Sequence, residues 1–144
     1  MSATVWLGQR TGRAYKVREI SVGTHAAPGY LVKVLQRLTK AGILSAQRGS
    51  QGGFTLERDP AVLTALEVIN AVDPIERIQT CPLGFESHGT HLCPLHRRID
   101  EAAALIEDGF GAVTIAALIN EPARSRPFCD ELGLDAPSVV EKGA

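Results

Sequence analysis

The clearest hydrophobic periodicity in the chain lies in residues 28–40 and has the spacing of an amphipathic helix. Apolar residues recur there at i, i+3, i+4 and i+7, namely Leu31, Val34, Leu35 and Leu38. Pro28 suits the first turn of such a helix, and Gly42 is placed to end it. A shorter helix is predicted at residues 17–22, broken by Gly23 and followed by a turn at 24–29. Two helices joined in this way predict a helix-turn-helix.

Two short segments beyond this helix predict a β-hairpin. Residues 43–47 and 54–57 have the length and composition of strands. The connection between them, residues 48–53, contains three glycines, which permit the positive backbone angles of a tight turn. A hairpin in this position predicts a wing.

Two more helices are predicted downstream. Thr64 and Glu67 form a capping box for a helix at residues 65–72. After an irregular segment rich in Pro, Gly, Cys and His, a longer helix begins near residue 95, and residues 114–119 add a terminal turn. The apolar positions of the longer helix keep helical spacing and are Leu95, Ile99, Ala102, Ile106 and Phe110. This stripe predicts pairing with a second copy of the chain, and packing on the chain's own winged domain is the alternative.

These elements predict a mainly α fold with a small β wing. We expect a winged helix-turn-helix domain at residues 1–73, a Cys- and His-bearing loop at 74–94, a dimerisation helix with its terminal turn at 95–120 and a loosely ordered tail at 121–144. At 144 residues the chain leaves no room for a second catalytic domain. It has no apolar stretch of membrane-spanning length and no secretion signal, so we expect a cytoplasmic protein.

Charge is divided unevenly along the chain, although its formal net value is only −1. Residues 1–58 contain nine Lys and Arg against two acids, a net +7, whereas residues 59–144 contain six against fourteen, a net −8. A basic front half with a helix and a glycine-rich turn can contact phosphates, while an acidic rear half would face away from them. The alternative is a charge gradient without function.

Three sequence segments carry a resemblance to a known family. Residues 30–44 (YLVKVLQRLTKAGIL), 48–54 (RGSQGGF) and 66–73 (LEVINAVD) resemble, in order and spacing, the Rrf-two family of winged helix-turn-helix regulators of the IscR and NsrR type. The resemblance covers roughly residues 3–119. It implies a homodimer that binds a roughly palindromic operator in double-stranded DNA. Each subunit would place a recognition helix in the major groove and a wing against the minor groove or backbone.

The resemblance also assigns residues to DNA contact. Tyr30 and Lys33, with His25 or Gln36, would read bases, because Pro28 and its neighbours offer no side-chain hydrogen bonds. Phosphates would be contacted by Lys33, Arg37, Lys40 and Arg48. The full predicted set is Ala27, Pro28, Gly29, Tyr30, Lys33, Arg37, Arg48, Ser50, Gln51, Gly52 and Gly53.

In relatives that hold a two-iron, two-sulfur cluster, the loop supplies three cysteines and, in the IscR type, a histidine three residues after the last. Here Cys81, Cys93 and His96 match the outer cysteines and the histidine, whereas Ser87 occupies the middle position. A hydroxyl is a poor ligand for such clusters beside thiolate. The resemblance therefore leaves the fourth ligand open among His88, His91 and Cys129.

Three interpretations of these cysteines remain open at the level of sequence. One is an oxygen-, iron- or nitric-oxide-sensitive cluster that shifts the dimer between two DNA affinities. The second is reversible thiol oxidation without a cluster, and the third is inert loop cysteines or a structural zinc site. The odd count of three cysteines favours such chemistry over a disulfide framework.

The front of the chain departs from the family pattern. Residues 3–9 match only the second half of the family's first helix, so either translation starts upstream of Met1 or this form has a shortened helix. Two other functions compete with DNA regulation. The first is a small Cys/His metal hydrolase or thiol oxidoreductase, but the sequence contains no recognisable catalytic motif for either. A winged-helix adaptor that binds protein is favoured only by the thin polar content of residues 27–29.

Overall fold

Six helices and one two-stranded sheet form the part of the chain that the computed structural model describes, residues 1–85, 91–122 and 127–128. In chain order the elements are α1 (Ser2–Gly8), α2 (Val17–Thr24), α3 (Pro28–Lys40), β1 (Leu44–Gln47), β2 (Gly53–Leu56), α4 (Ala65–Val72), α5 (Pro94–Gly111) and α6 (Ile115–Asn120). Among these described elements, no helix has the length and apolar character needed to cross a membrane.

The predicted helix-turn-helix is confirmed, but the break at Gly23 is wrong. Gly23 lies buried inside α2, and the chain turns at His25, whose φ of 52° is left-handed. The hydroxyl of Ser21 donates to the carbonyl of Ala26 at 2.7 Å, and the amide of Ala26 donates back to the carbonyl of Ser21 at 3.2 Å. These local bonds satisfy backbone groups at the end of α2 and so let the helix run past the glycine.

One face of α3 supplies the centre of the core. Its predicted apolar residues are its buried residues: Leu31, Val34, Leu35 and Leu38. Pro28 lies in the first turn, as predicted, and Gly42 follows the C-cap with a left-handed φ of 70°. Around this face, the largest fully buried side chains of the other elements are Leu7, Ile20, Leu63, Ile115 and Val68.

The predicted hairpin forms, one residue away from its predicted bounds. β1 and β2 pair antiparallel with Leu44 opposite Leu56 and Gln47 opposite Gly53. Tyr15 extends the sheet by one bridge, since its amide donates to the carbonyl of Phe54 at 3.0 Å and its carbonyl accepts from the amide of Phe54 at 2.8 Å. The wing is thus bonded to the segment that precedes α2.

α4 has its predicted bounds and its predicted capping box. The amide of Glu67 donates to the hydroxyl of Thr64 at 3.2 Å, and the carboxylate of Glu67 accepts from the amide of Thr64 at 2.9 Å.

The segment that follows α5 differs from expectation. Residues predicted to add a terminal turn form α6, which packs on α1 and buries Ile115 completely. The amide of Ile115 donates to the carbonyl of Leu63 at 2.8 Å, and this bond holds α6 against the winged domain.

Candidate nucleic-acid interface and cysteine–histidine site

The outward face of α3 presents the polar and cationic side chains that the sequence predicted. Because the apolar stripe is buried, Lys33 and Gln36 lie on the exposed side of the helix. The segment Ala27 to Tyr30, at the start of the helix, is also exposed throughout, and Tyr30 has 66% of its surface open. The exposed start of α3 is therefore available to a partner.

Unpaired positive charge is confined to the front half of the described chain. Within residues 1–85, 91–122 and 127–128, five cationic side chains form neither an ion pair nor a hydrogen bond, and they are Lys16, Arg18, Lys33, Lys40 and Arg48. Every described arginine beyond residue 57 instead pairs with a carboxylate: Arg58, Arg77, Arg97 and Arg98. The structure thus concentrates uncompensated positive charge on the helix-turn-helix and wing.

Arg37 behaves differently from its neighbours on α3. Its guanidinium donates to the carbonyl of Val72 at the last residue of α4. This bond fastens the predicted recognition helix to the point where the cysteine-bearing loop begins. A phosphate contact by Arg37 would have to compete with that carbonyl.

The wing turn contains exposed polar residues, and it also contains glycines that the packing of the wing itself requires. Arg48, Ser50 and Gln51 are exposed. Gly52 is buried, and a Cβ atom there would lie 2.3 Å from the carbonyl oxygen of Gln47. A Cβ atom on Gly53 would lie 2.5 Å from the carbonyl oxygen of Tyr15. The glycines are required inside the wing whether or not they also approach a duplex.

Two of the predicted metal-binding residues lie side by side. Cys93 is the N-cap of α5, and its Sγ is 3.4 Å from Nδ1 of His96 one turn along the helix. Cys81 is half-buried in a turn closed by the amide of Gly84 on its carbonyl at 3.0 Å. In the described part of the chain, no three His, Cys, Asp or Glu side chains are grouped closely enough to hold a metal ion, so neither Cys81 nor His91 joins this pair.

Three other residues of the predicted site, Ser87, His88 and Cys129, lie outside the described residues.

The start of the loop is anchored to α5 by an ion-pair cluster that sequence analysis did not find. Arg77 makes a bidentate contact with Asp100, at 2.7 and 2.8 Å, and a third bond to Glu107 at 3.1 Å. Asp100 also accepts the amide of Ile78 at 2.9 Å. The bonds from Arg77 lower the pKa of Asp100 and raise that of the guanidinium. The loop is therefore bonded to α5 near its start, through Arg77 and Ile78, and it ends at Cys93, the N-cap of the same helix.

A helix-turn-helix with an exposed cationic second helix, followed by a hairpin bonded back to the same domain, defines a winged helix-turn-helix protein. The sequence comparison narrows that class. The chain belongs to the Rrf2 family, whose model, described as an iron-dependent transcriptional regulator, matches residues 1–121. It is therefore a DNA-binding transcriptional regulator and not an enzyme, as the resemblance in its sequence predicted.

Individual relatives agree with this assignment. An HTH-type transcriptional regulator of Aquifex aeolicus (strain VF5) is 28% identical over 121 residues, which are 82% of this chain and 84% of that protein. Two solved structures share the fold at lower identity. CymR (YrzC), the global cysteine regulator of B. subtilis, has a TM-score of 0.66 at 18% identity, covering 85% of this chain and 91% of that one. IscR of T. potens has a TM-score of 0.65 at 19% identity, covering 86% of each chain.

Proposed function

We propose that this regulator acts as a homodimer paired through α5. None of the described residues of this 18-residue helix is buried. Its apolar stripe is open to solvent, with Leu95 64%, Ile99 48%, Ile106 47% and Phe110 40% exposed, and Ala102 exposed between them. An exposed row of large apolar side chains is typical of an interface. This exposed stripe is the observation that carries the proposal.

The rest of α5 indicates what covers the stripe. A neighbouring face of the helix is half-buried against its own chain, and its polar side chains are held there, with His96 beside Cys93 and with Asp100 and Glu107 bound to Arg77. The described part of the chain thus contacts this face and leaves the apolar stripe open. A second copy would bring an identical apolar face, as a two-fold symmetric interface requires.

Docking on DNA follows from the two exposed cationic elements. The start of α3 would enter the major groove, where Tyr30 and Lys33 carry most of the direct base contact, since residues 27–29 have little side-chain hydrogen-bonding capacity. Arg48 on the exposed wing turn would approach the minor groove or its phosphates. A homodimer would present two such units to a roughly palindromic operator.

For sensing, we propose that an iron-sulfur cluster binds at the Cys93–His96 pair, with Cys81, which the structure does not group with that pair, as the further cysteine ligand. The 3.4 Å between the Cys93 sulfur and the His96 nitrogen is compatible with two ligands on one tetrahedral metal, whose donor atoms lie about 3.5 Å apart. The described residues supply this pair but not a complete shell. When bound, such a cluster would supply a redox- or ligand-sensitive charge at the start of α5.

Reversible oxidation of the cysteines without a cluster is the second candidate. It is compatible with the partial exposure of both Cys81 and Cys93, which leaves their sulfur-bearing side chains open to an oxidant. In either case the signal would act on α5, which carries both His96 and the exposed stripe. A change at Cys93 could therefore shift the arrangement of the two subunits.

Neutralising the two docking cations should weaken binding to every duplex. We expect Lys33→Gln with Arg48→Gln to lower affinity for random and selected DNA alike, with a loss of about 0.9 in the slope of log K against log salt for each phosphate contact removed. Tyr30→Ala should mainly relax sequence preference. Gel shifts over a salt series measure both effects. The control is Arg97→Gln with Arg98→Gln, and unchanged binding by the Lys33/Arg48 variant would contradict the docking.

Charge placed within the stripe should separate the dimer. Ile99→Asp with Ile106→Asp is expected to give a folded monomer by light scattering, because both side chains are exposed in the single chain and their loss costs it little packing. Leu105→Asp is the matched control. Leu105 is 73% exposed on the same helix but lies about a quarter turn from the stripe. A double variant that remains dimeric would place the interface elsewhere.

The cluster proposal has a direct chemical test. Protein purified without oxygen should be coloured and contain iron and sulfide in equal amounts, and Cys93→Ala should abolish both. Arg77→Gln, which changes no proposed ligand, serves as the control for loop disturbance. A colourless, iron-free wild type would remove the cluster, and oxidant-dependent DNA binding by that protein would then support the thiol alternative.

A further inference from the structure

A groove of about 560 Å³ lies between the first turn of α2 and the wing turn, and its α2 side is formed by residues that the sequence did not assign to DNA. One wall is formed by Arg13, Lys16, Arg18 and Glu19, and the other by residues of the wing that include Ser50 and Gln51. The groove therefore joins the helix-turn-helix to the wing.

Two cations of the groove make no direct ion pair, although the charge of Lys16 helps to lower the pKa of Glu19. Glu19 is the only carboxylate in the lining, and it is held by Arg13 at 2.7 Å and by the amide of Lys16 at 2.8 Å. Both contacts lower the pKa of Glu19 and leave it ionised. Lys16 and Arg18 are exposed and have no ion pair or hydrogen bond from their side chains anywhere in the described residues.

The hydrogen bonds of Glu19 also determine which groups of the groove are available to bind an anion. Because its carboxylate accepts the N-cap amide of α2, an anion at this end of the groove would be attracted by side chains and not mainly by the helix terminus. Arg13 is stacked over the ring of Tyr15, with its guanidinium carbon 3.9 Å from the ring centroid. Arg13 therefore acts as a positioning residue that holds the Glu19 carboxylate in an ion pair.

We propose that this groove seats one phosphate of the DNA backbone per subunit, bound by Lys16 and Arg18 with Ser50 and Gln51 as additional donors. The proposal rests on the proposed docking, which already brings the wing and the helix-turn-helix to the duplex. A backbone phosphate is the fitting ligand because the groove lies between those two elements and bears cations without a specific base-reading shape. Its effect is on affinity and not on sequence preference.

The test compares Lys16→Gln with Arg18→Gln against wild type, using a random-sequence duplex and one selected in vitro by the wild-type protein. We expect the slope of log K against log salt to fall by about 0.9 per subunit, with equal loss of affinity for both duplexes. Lys16→Arg with Arg18→Lys should restore the slope. Arg97→Gln with Arg98→Gln is the control, and circular dichroism confirms that each variant is folded.

A second measurement locates the phosphate itself. Methylphosphonate, which removes one backbone charge, is placed at successive positions of the selected duplex. We expect one position per half-site at which this change weakens wild-type binding but leaves binding by the Lys16/Arg18 variant unaltered.

Failure of this proposal can be separated from failure of the proposed docking. If wild type binds, the Lys33/Arg48 variant loses slope and the Lys16/Arg18 variant keeps it, the groove proposal is overturned and the docking stands. Failure of the charge-retaining variant to restore the slope also overturns it. If the wild type has no salt-dependent binding to either duplex, the docking fails first and the groove proposal fails with it.

Discussion

Burial of one face of α3 is the constraint on which the rest of the structure depends. Leu35 and Leu38 have no exposed surface, and each fully buried leucine contributes about 1.5–3 kcal/mol to the free energy of unfolding. That burial fixes the rotation of the helix about its axis. Lys33 and Tyr30 must then face outward. The wing follows α3 directly, so the same core also sets its position. The cationic side chains of α3 lie at the surface because its apolar side chains fill the buried positions.

α5 obeys a different constraint, because none of the described residues covers its apolar stripe. Polar contacts from Arg77 and Cys93 occupy one side, while Ile99 and Ile106 remain exposed on another. One helix therefore carries the cysteine–histidine pair and the surface proposed for dimerisation. In the proposed dimer, a chemical change in the loop would act through this one helix on the arrangement of the two winged domains.

Local sequence signals predicted most of the elements. The apolar spacing of α3 and the Thr64–Glu67 capping box are short-range patterns, so their bounds could be read from neighbouring residues. The end of α2 was missed because a left-handed histidine, and not Gly23, makes the turn. The packing of α6, the anchor of Arg77 on Asp100 and the groove at Lys16 all join residues distant in sequence, and no local pattern encodes such contacts.

The most direct measurement is a structure of the protein bound to a duplex that it selects. We expect two copies related by a two-fold axis, paired along α5, with the start of each α3 in successive major grooves about 34 Å apart. Each wing should lie over the adjacent minor groove or backbone. A single copy on the duplex, or α3 facing away from the bases, would contradict the proposed docking.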